Sequence, residues 1–171
     1  MDIAELLVDA FGRVRESVHG AVDGLTAEEL AVRLDPDANS IAWLVWHLTR
    51  VQDDHVCAVA GVEQAYTAKG WAERFDLPFD DAAIGYGQSS ADVAAVRVAD
   101  PALLLDYYED VHRQTLEYVR GLTPADLDRV VDDAWDPPVT LGVRLVSVVD
   151  DDLEHAGQAA FVRGVLERRR G

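Results

Sequence analysis

Residues 40–61 read SIAWLVWHLTRVQDDHVCAVAG, and the fold follows from how this stretch is read. Ser40 is a residue type that caps a helix N-terminus with its hydroxyl. Gly61 is one that closes a C-terminus. Trp43, His47, Val51, Asp54 and Ala58 recur at steps of three and four, the spacing of one helical face. The stretch therefore predicts a long amphipathic helix, which needs other helices to cover it.

Those partners lie on both sides. Upstream, Ile3, Leu6, Leu7, Ala10, Phe11, Val14 and Val18 form one apolar stripe that ends near Gly20 and Gly24. Thr26, with Glu29 three residues on, is a capping box that starts a short helix. Downstream, Tyr66–Ala99 reads as irregular, with Pro78, Gly85–Tyr86–Gly87 and Ser89–Ser90, and one short helix near Asp92–Val96. It is long for a connection, so it is expected to cross over the helices or cover a pocket.

A third long helix starts at Asp100–Pro101 and ends near Gly121, with Leu104, Tyr108, Val111, Thr115 and Tyr118 on one side. Thr123–Pro124 opens another short helix. The fourth long helix begins near Thr140, after Pro137–Pro138, and runs almost to the end. Gly24-Leu25-Thr26-Ala27-Glu28-Glu29-Leu30 echoes Gly121-Leu122-Thr123-Pro124-Ala125-Asp126-Leu127, either as a reused helix-start signal or as pseudo-symmetry between two helical pairs. No alternating strand pattern competes. The expected fold is all-α: a four-helix bundle with a long crossover between helices 2 and 3, in a single domain over residues 1–171.

Composition narrows the function. With 15 basic and 32 acidic residues the net charge is -17, a surface that repels nucleic acid and anionic lipid. No apolar run has the length of a membrane helix. The N-terminus lacks the basic start and apolar core of a signal peptide, so a cytoplasmic location is expected. One cysteine, Cys57, excludes an internal disulfide and a cysteine-rich zinc site.

The chemistry is carried by the fourth helix. At 100° per residue, His155, Asp151, Val148, Arg144, Leu141, Ala159, Val162 and Leu166 fall within about 40° of one direction, read as the inward one. Asp151 and His155 thus stand one turn apart on the core side, where a carboxylate and an imidazole need partners. They could satisfy each other. His47 lies in an apolar stripe of the second helix, and alone it would read as a core histidine. Together the three resemble ligands that facing helices of a bundle present to a metal. Two nitrogens and one oxygen suit zinc, nickel, iron or manganese, and three ligands leave a position open.

The chain resembles the DinB-like, or YfiT-like, family of metal-dependent four-helix-bundle proteins. The likeness spans nearly the whole chain. It is carried by Ile41-Ala42-Trp43-Leu44-Val45-Trp46-His47-Leu48, by Gly85-Tyr86-Gly87, and most specifically by Asp151-Asp152-Leu153-Glu154-His155-Ala156-Gly157-Gln158. The resemblance implies a metal held by His47, Asp151 and His155. Many relatives have a third histidine where this chain has Asp151, while the related mycothiol-dependent maleylpyruvate isomerases have a carboxylate there. The family includes transferases and isomerases that use mycothiol, bacillithiol or glutathione. It therefore implies zinc or nickel as cofactor, a small thiol such as mycothiol as cosubstrate, a small-molecule electrophile as partner, and a homodimer. A metal-dependent hydrolase and a non-catalytic metal- or ligand-binding bundle are the alternatives.

Other residues have weaker claims. Asp54, two turns beyond His47, could orient a ligand or act as a base, but pairing with an arginine is the expected role. Arg144 could hold an anionic substrate group or pair with a carboxylate. Trp43 is read as pocket wall, Tyr86 as a residue over the cavity or a loop anchor, and Gln158 as a bonding partner near the site. His19, His55 and His112 complete no second ligand set. Cys57 is read as a small buried residue.

Overall fold

Four long helices form where the 3.6-residue periodicity is strongest. In the computed structural model, which describes residues 1–170, they are the first, third, seventh and eighth helices in chain order. The helices are α1 (Ile3–Val22), α2 (Ala27–Leu30), α3 (Ile41–Ala60), α4 (Ala65–Ala68), α5 (Trp71–Phe75), α6 (Ser90–Ala95), α7 (Ala102–Val119) and α8 (Leu141–Arg170). A 3₁₀ turn covers Pro124–Asp128, and a two-stranded antiparallel hairpin joins β1 (Val130–Asp132) to β2 (Val139–Thr140). α3 and α1 each pack along both α8 and α7, and touch each other little. No helix among the described residues is long and apolar enough to cross a membrane.

The caps fall where the residue types place them. Ser40 accepts from the Trp43 amide, and Gly61 closes α3 in the left-handed conformation. Thr26 and Glu29 form a reciprocal box at α2. At α7 the N-cap is Pro101, one residue later than expected, and Asp100 just ahead of it accepts from the Ala102 amide.

α3 is enclosed more fully than its stripe suggests. Every residue from Ile41 to Asp53 is buried, because the segment after Gly61 covers the side left open by α7 and α8. Its polar residues therefore find partners inside. Gln52 donates to Thr115, and Thr49 donates to the Val45 carbonyl. The Arg50 guanidinium pairs with Asp53 and lies 4.1 Å over the Tyr66 ring. Asp53 also accepts from the Ala65 and Tyr66 amides and the Tyr107 hydroxyl.

Four expectations need correction. Tyr66–Ala99 carries more than one short helix: α4 and α5 bury Tyr66, Trp71 and Phe75 against Tyr107. Helices of four or five residues hold barely one turn, too little for periodicity to register. The chain is not strand-free, since two and three residues pair as a hairpin around Pro137–Pro138, again too short to show alternation. Leu6 is 49% exposed and lies outside the α1 core stripe. The buried stripe of α8 is Leu141, Leu145, Val148, Asp152, Ala156, Ala159, Val162 and Leu166. Asp151, His155 and Arg144 thus lie along one edge of that stripe, half-buried rather than at its centre.

Candidate metal centre

α3 and α8 bring His47, Asp151 and His155 together. One donor atom from each lies within 4.8 Å of the others. The His47 and His155 rings meet edge to face at 4.8 Å between centroids, and the His155 Nε2 is 3.7 Å from Asp151 Oδ1.

The imidazoles are oriented from behind. His47 Nδ1 lies against the Ile84 carbonyl, and a carbonyl can only accept, so that nitrogen carries the proton. Its Nε2 keeps the lone pair. His155 Nδ1 is 3.2 Å from Gln158 Oε1, which leaves the His155 Nε2 lone pair free in the same way. This is the arrangement that holds metal-bound histidines in one tautomer. Burial, aided by the nearby His155, lowers the His47 pKa and favours the neutral ring that coordination needs. The Asp151 Oδ2 is buried and has no hydrogen-bond partner. A buried carboxylate oxygen left without a donor is satisfied by a cation, so the residues present fit a divalent ion.

The loop motif contributes through its glycine. Gly85 has a φ of +99°, and a Cβ there would come within 2.5 Å of His47 Nδ1. Only glycine lets the 84–85 backbone reach the ring. Tyr86 itself is 92% exposed. Trp43 stacks on His47 at 4.6 Å, edges onto His155 at 6.3 Å, and donates its Nε1–H to Gln88 Oε1. Arg50 holds the same loop through the carbonyls of Ala83 and Asp81.

The remaining candidates stand apart from the cluster. Asp54 does not pair with an arginine: its carboxylate accepts from His55 and from Gln64, and the His55 bond holds its pKa below the ordinary value. Those two groups lie closer to it than any guanidinium. Arg144 resolves toward a carboxylate, with Nη2 3.1 Å from Asp132 of β1. His112 is buried and stacks on Tyr108, while His19 binds Glu109.

Sequence reasoning missed Asp152. It is fully buried, neither oxygen has a partner, and burial followed by the Asp151 charge pushes its carboxyl well above the usual range. The signal was present. Centring the α8 stripe on its aliphatic residues alone points at Asp152 and places Asp151 at the edge. Arg50 and Asp53, three apart within an apolar run, were likewise readable as an internal ion pair.

The fold and site define a mostly helical protein with a His–Asp–His cluster that could hold a divalent metal. The chain belongs to the mycothiol-S-transferase family, a DinB-like family whose model matches residues 6–168. A crystal structure of a conserved protein from Enterococcus faecalis is 31% identical, superposes with a TM-score of 0.89, and aligns over 95% of this chain and 96% of its own. No curated protein matches the sequence.

Proposed function

We propose that the protein is a divalent-metal-dependent S-transferase that joins a low-molecular-weight thiol of the mycothiol type to a small electrophile. The observation behind this reading is the convergence of His47, Asp151 and His155, with each imidazole already donating its Nδ1–H to a protein acceptor. The family match supplies the class of thiol.

Zinc or nickel held by these three residues would lower the pKa of a thiol beside it, so that a thiolate forms near neutral pH. Ile84 and Gln158 hold the two rings in one orientation, each with its Nε2 turned to the cluster. Asp151 supplies a negative charge that offsets part of the cation. Trp43, stacked on His47, walls the site and limits access of water. The thiolate sulfur then bonds to the electrophilic carbon, and a group leaves or a proton is taken up there. Asp54 and Arg144, held by His55 with Gln64 and by Asp132, are assigned no part in the bond-forming step, and Tyr86 is assigned to thiol binding. With this reading go a four-helix bundle in which residues 61–101 form the crossover, a single domain, a cytoplasmic location and a homodimer.

The test is metal analysis of protein purified without added metal, followed by transfer assays with mycothiol and a panel of electrophiles. Metal-loaded protein is expected to exceed the uncatalysed rate, and Asp151→Ala to lose the activity while remaining helical. A loaded protein that binds thiol and never accelerates transfer would leave a binding protein in place of an enzyme.

A further inference from the structure

Away from the metal centre, α5, the segment between α6 and α7, and the first turns of α7 enclose a cavity of about 340 Å³. That lies at the lower end of the range of about 300–1,000 Å³ that small-ligand pockets span. Its floor is apolar: Phe75 and Val98 are buried, and Leu103 is half-buried beside them. Its rim is charged. Arg74 and Arg97 stand there with Asp100 and Asp106, all of them exposed.

The rim charges do not satisfy one another. Among the described residues, neither guanidinium is paired with a carboxylate, and neither carboxylate with a cation. Arg74 lies 3.8 Å over the Trp71 ring, a contact made through the charge rather than through its N–H donors. Arg97 donates its Nε–H to the Ala94 carbonyl, and Asp100 accepts from the Ala102 amide. A guanidinium has about five donors and a carboxylate about four lone-pair sites, so most of the rim's capacity is open. In a chain with 32 acidic and 15 basic residues, carboxylates are the commoner partner, yet these two guanidiniums share a cavity without one. Two charges of each sign sum to zero. A net ion gains from one pair and is repelled by the other, while a ligand carrying both signs gains from both.

We infer that this cavity binds a free α-amino acid with an apolar side chain. Its carboxylate lies on Arg74 and Arg97, whose planar forks suit that group. Its ammonium lies on Asp100 and Asp106, and its side chain on Phe75, Val98 and Leu103. The first amides of α7 take no part, since Asp100 already accepts from those of Ala102 and Leu103. The cavity shares no residue with the His47–Asp151–His155 cluster, so the inference stands independently of the thiol-transferase reading.

L-Leucine is titrated into the protein as purified, with the heat of binding and the arginine Nε–H resonances as readouts. Saturable binding is expected, with a Kd below about 1 mM and with the Arg74 and Arg97 resonances shifted. N-Acetyl-leucine lacks the ammonium, leucinamide the carboxylate and glycine the apolar side chain. Each should bind more weakly by about tenfold or more. Arg97→Gln and Asp106→Asn alter exposed side chains, so both should unfold at the wild-type temperature. Each should weaken leucine by about tenfold, the scale of a central contact residue. The losses should also be selective: Arg97→Gln narrows the gap between leucine and leucinamide, and Asp106→Asn the gap between leucine and N-acetyl-leucine. A Kd above about 1 mM, or wild-type leucine affinity in both variants, would overturn the inference. N-Acetyl-leucine binding as tightly as leucine would overturn it too, leaving an anion site in place of a zwitterion site.

Discussion

The buried guanidinium of Arg50 donates to the carbonyl of Ala83 at 3.1 Å, and one residue further on the Ile84 carbonyl accepts from His47. An arginine one turn below the histidine thus sets the position of the loop that sets the histidine. The loop cannot slide without breaking both bonds, and Gly85 leaves no clearance between backbone and ring.

Arg50→Met is therefore expected to destabilise the protein by about 3–5 kcal/mol, since Asp53 would lose its buried counter-charge. Arg50→Lys should recover only part of this, because an ammonium cannot reach Ala83, Asp81 and Gln64 together. Urea unfolding of the metal-free variants measures both.

His155→Ala is expected to abolish stoichiometric zinc uptake. Gln158→Ala keeps all three donors but frees the His155 ring, so affinity should fall by about 10–100-fold with stoichiometry preserved. Competition with a chromophoric chelator separates the two outcomes. Equal affinity in Gln158→Ala and wild type would show that the side chain does not orient the ligand.

Gly85→Ala should lower both stability and zinc affinity. The residue would be held at a positive φ with its Cβ against His47, at a cost of about 1–3 kcal/mol for the backbone alone. Tyr86→Ala, one residue away and exposed, should stay within about 0.5 kcal/mol of wild type. Thermal unfolding of the pair distinguishes a motif that works through its backbone from one that works through its aromatic ring.

Cys57 is expected to resist alkylation in the folded protein at pH 8 and to react rapidly once unfolded. Burial, then the nearby Asp53 carboxylate, pushes its thiol up to about 12 from an ordinary 9.0. Because the folded pKa is the higher one, Cys57 leaves stability unchanged below about pH 9. Stability then declines as pH rises from 9 toward 12, where only the unfolded chain releases the proton. Cys57→Ser should flatten that alkaline loss. Rapid labelling of the native protein at pH 8 would contradict the assignment of Cys57 as an inert core residue.

The sequence by itself determined the four long helices, their caps and the three residues of the candidate metal cluster. Apolar spacing of 3.6 residues and Ser40, Thr26 and Gly61 act locally, within a turn or two, so they are legible in one dimension. The spacing of Asp151 and His155 is a property of a single helix. Only the tertiary structure decided the rest. The phase of α8 depends on what packs against it, and Asp152 rather than Asp151 proved to be the fully buried carboxylate. Partner choice for Asp54 and Arg144 depended on a hairpin of five paired-strand residues and a loop glutamine that no periodicity announces. The hold on His47 comes from Ile84, thirty-seven residues away, through a carbonyl that every residue type possesses. A backbone acceptor leaves no mark in sequence, and its position is fixed only when Arg50 and Gly85 bring the chain back across α3.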